Sequence, residues 1–257
     1  MDLGLAGRVY ILTGASKGLG YATAQCLVAE GARVVLSSRD ESLVNAAVDR
    51  LTAGTDAATV AVGSPADLGD PATAQRLIDT ARTTYGRVDG ALISVGGPPP
   101  GPPSAVTDEQ WRSAFETVFL GAVRMARTLV AELDSGGAVG LVLSTSARHP
   151  ITGLGISNGL RPGLAGFVKD LADEVGPRGV RVFGLLPGRV LTDRNRELFA
   201  ATGDAAAAQA QAEAAIPLRR LGDPAEFGRV GAFLLSPAAS YLTGLSVPVD
   251  GGATRSL

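Results

Sequence analysis

The stretch "TGASKGLG" (residues 13–20) sets Gly14, Gly18 and Gly20 in one short run, with Ser16, Lys17 and Leu19 among them. Glycines at this spacing allow a tight turn and a close approach of backbone amides to a phosphate. A helix that starts there aims its unpaired N–H groups at the anion. Two further runs carry side chains able to do chemistry. "LSTSARHP" (143–150) holds Ser144, Arg148 and His149, the only histidine of the chain, and "LGISNGLRPGLAG" (154–166) holds Ser157 and Arg161. A histidine is a proton donor near neutral pH, an arginine is a fixed cation, and a serine hydroxyl is a hydrogen-bond donor but a weak acid.

The elements that must position these runs alternate regularly. "RVYILTG" (8–14), "RVVLSS" (33–38), "ATVAVG" (58–63), "VDGALISVGG" (88–97), "AVGLVLST" (138–145) and "VRVFGLLP" (180–187) are apolar runs that predict buried strands. Helical patterns separate them: residues 17–30, 40–53, 71–85 with Pro71 in the first turn, 107 to about 133 as one long helix, and 157–175. Alternation of this kind predicts a doubly wound α/β fold, a parallel Rossmann-type sheet flanked by helices, in one domain over 1–257. Residues 193–216 are expected to form a flap over the carboxyl ends of the strands, beside the stiff loop "PPPGPP" (98–103). Pro162 is expected to distort the first turn of the 157–175 helix, leaving Ser157 and Asn158 as caps.

Composition narrows the function classes. The net charge of −2 and the 19% charged content give no broad attraction for nucleic acid or an anionic membrane. Cys26 is alone, so no internal disulfide or multi-cysteine metal site is expected. No signal-like or membrane-spanning run is seen, and a cytoplasmic protein acting on a small molecule is expected.

The Gly-x-x-x-Gly-x-Gly spacing after the first strand resembles that of the short-chain dehydrogenase/reductase family, and later motifs follow in the family's order. "ADL" (66–68), "LLPGRVLT" (185–192) and "DPAEFGRVGAFLLSPAASYLTGLSVPVDGG" (223–252) carry the likeness over nearly the whole chain. Reductases of 3-oxoacyl carrier substrates are the nearest well-known branch. The resemblance implies about seven strands and a homotetramer or homodimer. It also implies a nicotinamide cofactor held by Gly14, Ser16, Lys17, Gly18, Leu19, Gly20, Asp67, Leu68, Gly96, Arg161, Pro187, Gly188, Val190 and Thr192. At the end of the second strand Ser38 stands where NAD-using members commonly carry an acid, and Arg39 follows. With Lys17 in the glycine loop, this points to NADP(H), and Asp40 reads as a helix cap.

The catalytic tetrad of the family is Asn, Ser, Tyr and Lys. In register, these positions fall on Val118, Ser144, Ser157 and Arg161, so one of four remains. Serine is a far poorer acid than tyrosine, and arginine keeps charge without surrendering a proton. Three readings stay open. One is an atypical oxidoreductase transferring hydride between NADP(H) and a small carbonyl, enone or imine, with Ser144, Ser157 and Arg161 as its catalytic residues. The second is an isomerase, dehydratase or cyclase on the same fold. The third is a cofactor-binding protein without turnover. His149 and Arg148 read either as an acid and an anion-binding group, or as loop residues without a role.

Overall fold

The computed structural model describes residues 2–53 and 60–256. Seven parallel strands form one sheet in the order β3-β2-β1-β4-β5-β6-β7. They are β1 (Val9–Thr13), β2 (Arg33–Ser37), β3 (Ala61–Gly63), β4 (Gly90–Ser94), β5 (Ala138–Val142), β6 (Arg181–Pro187) and β7 (Ser246–Val249). Residues 58 and 59 of the expected third strand lie outside the described residues.

Side chains alternate across the sheet as strand geometry requires. Val9 and Ile11 face one way, packing with Leu77 and Ile78 of α3 (Thr73–Tyr85), Met125 and Leu129 of α5 (Gly121–Glu132), and Leu164 and Val168 of α6 (Gly155–Val175). Tyr10 and Leu12 face the other way, against Leu27 of α1 (Gly18–Ala29), Ala47 of α2 (Glu41–Leu51), and Phe227 and Leu235 of α9 (Pro224–Leu235). Strand order reverses between β1 and β4, and in such sheets the crevice beyond the carboxyl ends at that point receives ligands. Thr13 and Ser94 lock the two strand ends together: Thr13 Oγ1 donates to the Ser94 carbonyl at 2.8 Å and accepts from its N–H at 2.9 Å.

Three expectations about helices need correction. The 107–133 segment is not one regular helix: α4 (Asp108–Ala114) and α5 are joined by a π-helical segment, Phe115–Leu120. Its Phe115 and Phe119 rings stack at 5.2 Å. Glycines in α6 leave room for this aromatic surface, since a Cβ on Gly163 would lie 2.9 Å from the Phe119 ring. Pro71 precedes the helix α3 rather than sitting in its first turn.

The third correction concerns α6. This helix starts at Gly155 and runs through Pro162 to Val175, so the proline sits beyond its first turn. The start is fixed from outside, by Gly155 N–H donating to the Gly101 carbonyl at 2.9 Å and by Asn158, whose side chain bonds both N–H and C=O of Ile151 at 2.9 Å. Buried Ile156 and Leu160 carry the first turns against Ala114 and Val118. Ser157 is therefore no cap.

The flap expected over 193–216 comprises α7 (Asp193–Ala200) and α8 (Ala205–Ala215), joined over a small cluster of Phe199, Ile216 and Leu221. Among the described residues, no helix is long and apolar enough to cross a membrane. None of them form a group of three or more His, Cys, Asp or Glu placed to hold a metal ion.

Candidate active site at the strand switch point

A cleft of about 560 Å³ opens at the carboxyl ends of β1, β2 and β4. Its floor is the glycine loop. Gly14 has φ of 56°, and a Cβ there would lie 2.7 Å from the Ser94 carbonyl, so only glycine lets the two strand ends approach. At Gly20 a Cβ would come within 2.8 Å of the Gly14 carbonyl, which forces the first turn of α1 against the loop. The loop is pinned from below by Arg50, whose Nη2 donates to the Ser16 carbonyl at 3.0 Å while its guanidinium covers the Tyr21 ring.

Along the cleft wall stand Lys17, Ser38, Arg39, Asp67, Leu68 and Gly96. Ser38 Oγ is buried with no hydrogen-bond partner. Arg39 is exposed at the rim. Asp40 turns away as expected, its carboxylate accepting from Leu43 N–H at 3.1 Å and from Ser42 at 2.7 Å to cap α2. Asp67 accepts from Gly69 N–H at 2.9 Å, which fixes the turn after β3. Lys17 Nζ lies 3.3 Å from Asp193, so the first residue of α7 reaches back over the glycine loop. Gly18 and Thr192 meet at the same place and line a smaller cavity of about 360 Å³.

A glycine cradle, an unpartnered buried hydroxyl at the end of β2 and two cations along a cleft fit a dinucleotide phosphate ester.

The family comparisons agree. A family model described as enoyl-(acyl carrier protein) reductase matches residues 14–254. Dehydrogenase/reductase SDR family member 4 of Oryctolagus cuniculus is 34% identical over 257 residues, covering 98% of this chain and 96% of that protein. The chain belongs to the short-chain dehydrogenase/reductase family. It is similar to the 3-oxoacyl-[acyl-carrier-protein] reductase of Salmonella typhimurium, with 30% identity over 248 residues, 96% of this chain and 97% of that one. The NADPH-bound structure of a short chain oxidoreductase from Pseudomonas aeruginosa PAO1, described as containing an atypical catalytic center, superposes with a TM-score of 0.90. Its identity is 30%, and the match covers 98% of this chain and 99% of that one.

Of the residues expected from the sequence at tetrad positions, Ser144 follows β5, Arg161 reaches its last residue, Val142, and Ser157 meets Ser146 just beyond it. Val118, within the π-helical segment, lines the cleft and packs on Ile156 and Leu160. Ser144 is half-buried and just outside the cleft lining; its Oγ accepts from Ser146 N–H at 3.1 Å, a bond that does not use its own proton. Ser157 is buried and its hydroxyl pairs with Ser146 Oγ at 2.9 Å, an interaction the sequence reading missed.

Arg161, only 4% exposed, donates Nη1 to the Val142 carbonyl at 3.0 Å, while its Nε has no partner. Val142 pairs with cleft-lining Ser94 across the sheet, so the guanidinium sits one strand behind the cleft rather than on its surface. Burial pushes its pKa down to about 10, and it remains a cation at neutral pH.

Pro187 and Gly188 close β6, and a Cβ on Gly188 would strike Asp250 of the "DGG" ending at 2.6 Å. The Val190 side chain is buried towards Gly222, leaving only its backbone for a ligand. Arg148 is exposed and donates to the Ser246 carbonyl at 3.0 Å; His149 is exposed beside it, away from the cleft lining.

Proposed function

We propose that this protein is an NADP(H)-dependent oxidoreductase that moves hydride between its cofactor and a small carbonyl, enone or imine. The observation that carries the cofactor choice is the end of β2, where buried Ser38 Oγ lacks a partner, Arg39 stands at the rim and Asp40, the acid that follows it, is spent on a helix cap. A cation beside an unpartnered hydroxyl favours a ribose 2′-phosphate over a bare 2′-hydroxyl.

Bound in this cleft, the reduced nicotinamide supplies the hydride. The chain's own residues supply orientation and charge. Ser144, with its oxygen fixed by Ser146 N–H, donates its proton in a hydrogen bond to the reacting oxygen. Arg161 contributes positive potential from behind β5. Ser157 holds Ser146 in place rather than moving a proton. General acid catalysis contributes about 10²–10⁴-fold, so its loss favours substrates that need little help to be protonated. The proton then enters from water in the open cleft. Exposed Phe115, Tyr241 and Leu242 favour assembly as a homodimer or homotetramer.

Single-turnover reaction of 4-deuterated NADPH with carbonyls, enones and imines tests this reading. Deuterium in the product, with binding tighter for NADPH than NADH, supports it. Product without deuterium overturns hydride transfer. In the same assay Ser144→Ala is expected to slow turnover by about 10²-fold while leaving NADPH affinity unchanged.

A further inference from the structure

Arg194, in the first turn of α7, has no place in the chemistry described so far. Its side chain reaches from the flap to the proline loop, where Nη2 donates to the Pro98 carbonyl at 2.9 Å. Gly97 leaves the space it needs, since a Cβ there would lie 3.1 Å from Arg194 Nε and 3.5 Å from Cζ. Gly97 and Pro98 line the cleft next to Gly96 and Val95. The guanidinium thus stands, half-buried, against the Gly97–Pro98 wall of the cleft.

Its charge is unmatched. On the same turn Asp193 is shared between Lys17 at 3.3 Å and Arg196 at 3.0 Å, and among the described residues no carboxylate lies within ion-pair distance of Arg194. A neutral carbonyl accepts one of five N–H donors and leaves the fork of the guanidinium available. The turn that carries it is held firmly: Asn195 donates to the Val190 carbonyl at 2.7 Å and accepts from Arg189 at 3.2 Å, and Arg189 lies over the Phe199 ring. The loop opposite is stiffened by prolines at 98, 99, 100, 102 and 103. A preorganised, half-desolvated guanidinium between two rigid walls matches a planar bidentate anion.

We infer that Arg194 is the specificity residue of this site and that it selects substrates bearing a carboxylate near the reacting group. This rests on the proposed oxidoreductase reading, with short oxo acids as the substrate class. Exchange of the Pro98 carbonyl for a carboxylate converts a neutral hydrogen bond into a paired charge at the cleft mouth.

The test measures binding of short 2-oxo and 3-oxo acids, and of carboxamides with the same skeletons, to the NADPH-loaded protein by calorimetry. NADPH oxidation is followed in the same mixtures. Wild-type protein is expected to prefer acid over amide by at least about tenfold. Arg194→Gln is expected to erase that preference, and Arg194→Lys to retain part of it. NADPH affinity and Tm are expected to stay at wild-type values in both variants. No acid preference in the wild type overturns the inference, as does a preference that survives Arg194→Gln. A loss of NADPH affinity in Arg194→Gln also overturns it, because the guanidinium then serves the cofactor. Acid preference that depends on Arg194, without oxidation of NADPH by any compound, sustains this assignment and refutes hydride transfer to these oxo acids.

Discussion

Two arginines are buried among the described residues, and their surroundings could hardly differ more. Arg181, 6% exposed at the start of β6, gives Nη1 to the Leu234 carbonyl at 2.7 Å and the Leu242 carbonyl at 3.4 Å. Its Nη2 goes to the carbonyls of Leu235 at 3.3 Å and Ser236 at 2.9 Å. Three of these four carbonyls belong to the C-terminal end of α9, where unpaired acceptors and the negative end of the helix dipole welcome a cation. Arg161, 4% exposed, has one carbonyl, a free Nε and no helix end. One cation completes the fold. The other is left short of partners beside the strand ends, where the proposed function brings an anionic cofactor.

The largest expected effect separates the two. Arg181→Met takes the donor from four carbonyls, of which Leu235 keeps Tyr10 Oη and Ser236 keeps Ala239 N–H. It is expected to destabilise by about 2–4 kcal/mol, on the order of 10 °C in Tm, with cofactor affinity unchanged in whatever protein folds. Thermal unfolding and calorimetry check both halves. A loss of cofactor binding at unchanged Tm breaks the contrast.

Arg161→Met should act in the opposite sense. Removing an underpaired buried cation is expected to stabilise the free protein by about 1–3 kcal/mol, while NADPH affinity falls roughly 10- to 100-fold. A pH series sharpens this. Burial holds Arg161 at about 10 in the folded chain, below its ordinary, higher value in the unfolded one. Between those values the unfolded chain binds the extra proton, so the Arg161 penalty is full below pH 10 and fades as pH rises. The stability gap between variant and wild type is therefore expected to be constant from pH 7 to about 9 and to shrink towards pH 11, measured by urea unfolding. A variant less stable than wild type makes Arg161 a second Arg181.

The same contrast marks what could be read from the chain. Strands were legible because each is a contiguous apolar run, and the glycine loop because φ of 56° at Gly14 and the close contact at Gly20 admit little else. The helix cap at Asp40 was legible because it precedes the helical pattern directly, and the reading of Ser38 at the β2 end came from the family resemblance. Contacts between distant segments were not legible. Arg50 meets Ser16 across 34 residues, Arg194 meets Pro98 across 96, and Ser146 meets Ser157 through a loop and a helix start. The π-helical segment was hidden for another reason, since one extra residue per turn hardly changes the apolar pattern. At Pro162 the local rule pointed the wrong way. Packing of Ile156 and Leu160 and the Gly101–Gly155 bond outweigh the lost N–H, and α6 keeps its first turn.

The smallest expected effect concerns Ser157, which the sequence resemblance puts at the family's tyrosine position. Its hydroxyl is spent on Ser146 at 2.9 Å, inside the protein, whereas half-buried Ser144 Oγ accepts only the Ser146 N–H. Ser157→Ala leaves Ser146 Oγ with only the Ser157 carbonyl at 3.5 Å. Loss of one buried hydroxyl pair is expected to cost about 1 kcal/mol in stability. Turnover should change little, because Ser146 N–H still fixes the Ser144 oxygen and a serine hydroxyl is too weak an acid to be missed as a proton donor. Steady-state kinetics beside Ser144→Ala decide the matter. If Ser157→Ala is as slow as Ser144→Ala at wild-type NADPH affinity, the buried pair is a proton path, and the division between a structural and a reacting serine is wrong.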